Sequence, residues 1–398
     1  MANTMTIDQA TVLVNEIVAA AQGRTFDPTK IEDFTTVGQK ALLVGEDPIL
    51  RGISQVLTRT IFSIRPYYRK FNSLAVSKEA YGNMVRKINY ADTPVKDAER
   101  FDLPDGMQKF NTKNMYEISK TPVHQENFYG MQTFDRSTTV YRDQMNSAFT
   151  DLGMFNSFIG GIMQNAYDQI EQDHETLARN LIVMAILAAL ESTNAGYSSR
   201  EIKLITEYNN KTGAGITPAN VYAPENYGNF MKFVYAVVAA ESEMLTERTN
   251  LRMTSVTDKN IMKHTPRDKQ RMYMFAPDRY SMEARVLADT YHDNYLKYVG
   301  DIETVNYWQD AANPEVMTAE NVTVMKNDGT IESLPVSANV PQVFMFLHDV
   351  DALGYNVVGE WSAPSPFEAR LGYTNIWWHF TDRYWRSDME KSVVMTLR

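Results

Sequence analysis

Cysteine is absent from the 398 residues. That excludes a disulfide-stapled scaffold, a thiolate-held zinc or iron–sulfur site and a thiol nucleophile, and it leaves the redox compartment open. Positive charge is in deficit: 39 Lys and Arg stand against 49 Asp and Glu, a net charge of −10. So acidic a chain is unsuited to coating the nucleic-acid backbone as its main task, although a local basic patch stays open. Long apolar runs are missing too. The longest, Leu181 to Leu190, is ten residues, where a bilayer-spanning helix needs about twenty. The N-terminus MANTMTIDQA has neither the basic region nor the apolar core of a secretory leader, so a soluble chain with no membrane partner is expected. The phosphate-cradling, dinucleotide, nucleophile-elbow, zinc-protease and calcium-loop signatures are all lacking, as are fixed-period repeats and low-complexity tracts. Aromatic side chains, by contrast, are plentiful, with 22 Tyr, 18 Phe and 5 Trp. Flat, partly polar rings are favoured where surface is buried against surface, so extensive self-association is expected.

A chain of this length predicts two or three domains, or one elaborate one. Thr6 to Gln9 supplies a capping box for an amphipathic helix carrying Val12, Val14, Ile17, Val18 and Ala21 and stopped at Gly23; a second helix is predicted over Pro48 to Phe62. Between Tyr67 and about Thr139 the pattern changes. Ser77 to Lys113 holds seven basic and six acidic residues with no long apolar period, which predicts an extended two-stranded excursion: one limb includes Met84 to Tyr90, the other Met115 to Ser119 and then Asn127 to Thr133. The strongest periodic signal lies in Asp151 to Leu190, free of proline. Apolar residues recur from Phe155 to Leu190 at helical spacing, interrupted by a polar waist at Gln172 to Glu175 that marks a helix crossing two environments. Residues 196 to 354 read as a mixed α/β domain. It has helices over Asn229 to Glu243 and Ser281 to Tyr298, and a hairpin joining Val322 to Met325 with Ile331 to Leu334 through Asn327-Asp328-Gly329. The tail closes with an aromatic strand, Tyr373 to Trp385, and a short apolar strand, Ser392 to Leu397.

Few constellations invite chemistry. Glu171 and His174, with Asp168 and Glu175, share a helix face at a spacing that suits a metal, but a di-iron bundle needs a second such pair, which the other histidines do not supply. A solvated, ion-paired waist is the preferred reading. Asp105-Gly106 and Gly213-Ala214-Gly215 read as turns ahead of phosphate nests. Trp377, Trp378 and Trp385 read as a sheet facing a core ahead of stacking platforms for sugars or bases. Arg65, Arg69 and Lys70, beside Tyr67, Tyr68 and Phe71, are weighed as nucleic-acid contacts and judged better suited to an acidic neighbour or to solvent. No catalytic, cofactor-binding or metal-binding residue is assigned, and no cofactor is expected.

The order of elements resembles a known family. An N-terminal arm, a long charged flap, the helix LGMFNSFIGGIMQNAYDQIEQDHETL, an α/β domain and the closing GYTNIWWHFTDRYWRSDMEKSVVMTLR are similar to the HK97-fold major capsid proteins of tailed bacteriophages, the short-tailed branch above all. The likeness covers nearly the whole chain but rests on the order of elements, because the family is defined by shape. It implies an α+β fold with the following parts: 1–62, N-terminal arm; 63–139, E-loop and flanking strand; 140–195, P-domain with spine helix; 196–354, A-domain; 355–387, P-domain return strands; 388–398, A-domain C-terminal strand. It further implies a non-enzymatic shell protein assembling through hexamers and pentamers around double-stranded DNA, without sequence-specific binding. The shell would form in the host cytoplasm with a separate scaffolding protein, a portal and a decoration protein as partners. Family members crosslink a flap lysine to a P-domain asparagine in some cases; Asn356 and Asn375 are noted here and no pair is assigned. The competing readings are an encapsulin-like compartment and an enzyme with residues 67–139 as a lid, the latter requiring an apolar pocket with perturbed ionisable groups.

Overall fold

In the computed structural model the proline-free stretch is one continuous helix, α1 (Leu152–Asn194), 43 residues long. The structure describes residues 69–75, 85–93, 120–129, 131–141, 152–257, 259–282 and 301–398. The expected arm helices, the 115–119 limb, Asp105-Gly106 and most of the Ser281 to Tyr298 helix lie outside these residues. Along α1 the burial changes character. Ala166, Tyr167, Ile170, Glu171, His174, Glu175 and Ala178 form a single buried stripe, whereas Leu181 to Leu190 is buried almost all round. A stripe suits a helix lying on one sheet, and all-round burial suits a helix inside a core. That all-round burial also accounts for the apolarity of Gln164–Asn194, a stretch long and apolar enough to cross a bilayer but with its apolar window mostly buried within the chain.

The described residues group into two units, and the chain passes between them within α1 after Ala178 and later after Gly354 and Tyr384. The first unit is built on a three-stranded sheet in the order β10 (Leu353–Pro364), β11 (Tyr373–Arg386), β3 (Met131–Tyr141). β11 and β3 run antiparallel from Tyr373 opposite Tyr141 to Arg383 opposite Met131. Period-two alternation places Thr374, Ile376, Trp378, Phe380 and Asp382 inward. There Phe380 stacks on Phe134 at 5.3 Å and meets the edge of His174 from α1 at 5.1 Å.

The second unit holds a five-stranded mixed sheet ordered β4 (Glu201–Lys203), β12 (Ser392–Thr396), β9 (Val343–Asp349), β5 (Gln270–Phe275), β6 (Asp301–Val305). β12 runs parallel to β4 and antiparallel to β9, and β5 lies between antiparallel β9 and parallel β6. Every residue of β9 and β12 is buried, so these strands read as continuous apolar runs covered on both faces. One cover is α2 (Leu204–Thr212) with α3 (Pro224–Thr246). On α3, Tyr227, Phe230, Met231, Val234, Val238 and Leu245 fall at helical spacing and pack with Met272, Met274, Phe344, Met345, Leu347, Val393 and Met395. Each such apolar side chain taken from water contributes about 1.5–3 kcal/mol. The expected helix over Asn229 to Glu243 is therefore the middle of a longer one, begun by Pro224 at its first turn. A short helix, α4 (Ala276–Met282), follows β5.

Two antiparallel pairs complete this unit. β7 (Asn321–Met325) pairs with β8 (Ile331–Pro335), with Val322 opposite Leu334 and Gly329 at φ 80° in the turn, as the Asn-Asp-Gly sequence predicts. β1 (Val85–Tyr90) pairs with β2 (Val123–Phe128), Val85 opposite Phe128 and Tyr90 opposite Val123. A strand thus lies within the expected Met84 to Tyr90 limb. The proposed return over Asn127 to Thr133 instead straddles the junction of β2 and β3.

Candidate functional site

The polar waist of α1 is an interior feature, which corrects the expectation of a solvated face. Glu171, His174 and Glu175 lie on the buried stripe. Tyr167 Oη donates to Glu171 Oε1 at 2.6 Å, the Lys70 amide donates to Glu175 Oε2 at 3.2 Å, and His174 Nδ1 lies 2.8 Å from Asp382 Oδ2 on β11. Asp168 is on the outer side, accepting from Gln164. The pairings engage the groups a metal would need, and among the described residues no cluster of three or more His, Asp or Glu side chains has metal-holding geometry.

What the waist holds is the segment 69–75. Residues 69–75 dock on it through the Lys70 amide and through Arg69, whose Nε is 3.8 Å from Glu171 Oε2 and whose guanidinium lies 5.3 Å from the Tyr355 ring centre. Phe71 is fully buried at φ 61°, a left-handed conformation that a bulky residue keeps only where packing over-determines it. A 3₁₀ turn over Asn72–Leu74 and a bridge from Ala75 to Tyr355 complete the dock. Arg69 is thereby spent inside the unit and is unavailable to nucleic acid; Lys70 keeps an exposed side chain. Arg65, Tyr67 and Tyr68 lie outside the described residues.

In the second unit the β1–β2 hairpin is fastened along one face and open along the other. Lys87, Asn89 and Glu126 point inward, toward the linker between β11 and β12. Glu390 Oε1 accepts from Lys87 Nζ at 2.7 Å and Lys263 Nζ at 2.8 Å, and Lys263 also donates to Asn89 Oδ1 at 2.6 Å. Glu126 Oε2 accepts from Ser387 Oγ at 2.8 Å and Asn89 Nδ2 at 3.1 Å. Lys259 Nζ donates to Val123 O at 2.8 Å. Burial pushes the Glu390 carboxyl up, but Lys87 and Lys263 together outweigh it and hold the group below its ordinary value. Glu126, for which burial dominates, is raised.

The same linker is locked at each neighbouring position. Arg386 donates to the carbonyls of Met184 and Thr323. Asp388 accepts from Arg200 at 3.2 Å and from the Met325 amide at 2.9 Å, and lies 3.2 Å from Arg386 Nε. Lys391 Nζ donates to Glu247 O at 2.5 Å and Thr249 Oγ1 at 3.1 Å. On the hairpin's other face Ile88, Tyr90 and Val123 stay exposed, as does Tyr129 just beyond it. A charged Ser-Asp-Met-Glu-Lys run between two apolar strands ordinarily marks a solvated loop, so sequence reasoning missed this clasp. Its only visible signal was the density of charge where the chain re-enters a core.

The remaining candidates resolve simply. Gly213 (φ 70°) closes the end of α2, and Asn209 hydrogen-bonds both the amide and the carbonyl of Ile216, so Gly213-Ala214-Gly215 is a capped turn. Trp378 is buried, Trp377 lies at the surface with 36% exposure, and Trp385 packs on Gly354. On the outer sheet face Trp361 stacks on His379 at 4.0 Å. Asn356 is buried, and Asn375 Oδ1 accepts from Thr139.

The chain belongs to the Phi29-like phage major capsid proteins, whose family model matches residues 25–396. It is a structural component that self-assembles into an icosahedral capsid. No curated protein matches the sequence. The fold is similar to that in the capsid structure of Staphylococcus phage Andhra, with TM-score 0.53 and 12% identity over 83% of this chain and 84% of that one. It is also similar to a chain in a structure of the head fibre and inner core protein of native bacteriophage P68, with TM-score 0.52 and 10% identity over 83% and 85%. At such identities the likeness is one of mixed α/β fold.

Proposed function

We propose that this protein builds its shell from hexamers and pentamers around double-stranded DNA, with the β1–β2 hairpin as the root of an E-loop that reaches a neighbouring copy. In this reading residues 1–62 are the N-arm and 63–139 the E-loop with its flanking strand. The P-domain combines 140–195, including the α1 spine, with 355–387. The A-domain combines 196–354 with 388–398. Assembly takes place in the host cytoplasm with a separate scaffolding protein, a portal and a decoration protein, and the DNA is held without sequence-specific contacts. The acidic net charge of −10 suits a container wall that does not trap its cargo.

The observation that carries the reading is the asymmetry of the hairpin. Its inner face is held by Glu390, Lys263 and Ser387, while its outer face presents Ile88, Tyr90 and Val123 to solvent. A rigid base with an exposed apolar edge is what contact with another copy requires. Negative-stain electron microscopy of the protein, expressed alone and with a scaffolding protein, tests it: polyhedral shells or five- and six-fold capsomers are expected, and uniform monomers or dimers in both conditions would refute it. A Tyr90→Asp variant is expected to keep the melting temperature of the subunit while losing closed shells.

A further inference from the structure

Asp278 lies in the first turn of α4 and is 2% exposed, and among the described residues its Oδ2 has no hydrogen-bond partner and lies away from solvent. Around it runs a short relay. Tyr222, in the chain entering α3, hydrogen-bonds Asp278 and accepts from Gln342 Nε2 at 2.9 Å. The same Gln342 nitrogen donates to Glu315 Oε1 at 3.1 Å. Four segments of the second unit therefore meet here: the approach to α3, α4, the loop between β6 and β7, and the residue leading into β9. The Gln342 carbonyl also accepts from the Leu397 amide just past β12.

We propose that Asp278, Tyr222, Gln342 and Glu315 form a proton-operated latch that ties these four segments together when Asp278 carries a proton and loosens them when the proton leaves. An ionised Asp278 places a charged oxygen without a donor inside the protein and beside a second carboxylate, which the Tyr222 hydrogen bond offsets only in part; protonation removes that charge. Among the described residues the groups acting on it are Glu315 and Tyr222, with Tyr227 of α3 reaching it only through the Tyr222 ring at 5.3 Å, and no cation acts on it from α3, β5 or β6. Burial first, and then Glu315, pushes the carboxyl up to about 7. The sign follows: the native state binds the proton more tightly than the unfolded chain. The stabilisation is therefore complete below the ordinary carboxyl value of 3.8, falls as pH rises from there, and is fully lost above about 7.

The inference goes beyond the assembly reading and does not depend on it. Melting temperatures of the full chain and of Asp278→Asn, measured from about pH 4.5 to about pH 8.5, test it. Asparagine cannot ionise, so the variant is expected to gain on the wild type by a few degrees as pH rises through the window and to level off above it. A difference that stays constant across the window would overturn the latch. Glu315→Gln provides a second arm should Asp278→Asn fold poorly. Without the neighbouring charge the wild-type decline is expected to shift to lower pH, and an unmoved profile would remove Glu315 from the device.

Discussion

Gly354 approaches the Trp385 indole so closely that a Cβ built there falls 2.2 Å from Cζ2, in the rigid part of the ring. Gly354→Ala is therefore expected to cost about 1–3 kcal/mol through overpacking, read as a lowered melting temperature, with part of the loss recovered when Trp385 is shortened to leucine. Glu390 offers a second test. Its carboxyl is held below the ordinary value in the folded state, so the stability it contributes is present above about pH 4.5 and is lost as pH falls through the folded value. Glu390→Gln should thus weaken the protein at neutral pH and make progressively less difference in acid, as thermal melts at several pH values would report. Neither feature was legible in the sequence. A glycine in a strand and a glutamate in a charged run have many ordinary explanations, and only the positions of Trp385, Lys87 and Lys263 select one.

Elements defined by local periodicity were readable, and elements defined by distant partners were not. The α1 helix, the Asn-Asp-Gly hairpin and the alternation along β11 all follow from patterns within a few residues. The waist of α1 was misjudged because its partners lie 105 positions away, at Lys70, and 208 away, at Asp382. A run of Gln, Asp, His and Glu looks solvated until those partners are placed. Asp382→Asn is expected to cost about 2 kcal/mol by weakening a buried hydrogen-bonded pair that joins α1 to β11, against a negligible change for Asp168→Asn on the outer side; urea denaturation of both variants would separate them. Gly161, by contrast, has nothing within 4 Å of a built Cβ. Gly161→Ala should stabilise α1 by up to about 1 kcal/mol. Loss of closed shells with no loss of subunit stability would mean that assembly needs the helix to bend there.

For the whole molecule, the order of strands in the five-stranded sheet carries a consequence for synthesis. β12 is the last in sequence of the described strands yet occupies an interior place between β4 and β9. Until the ribosome has delivered Ser392–Thr396, β4 has no neighbour in the sheet and β9 presents one bare edge of unpaired amides and carbonyls. A copy cut short before that point retains most of its interior but not its last closing piece, and its open edges make it a target for aggregation or removal. Ser392–Thr396 thus complete the sheet from within, and copies lacking them are expected not to take a place in the shell.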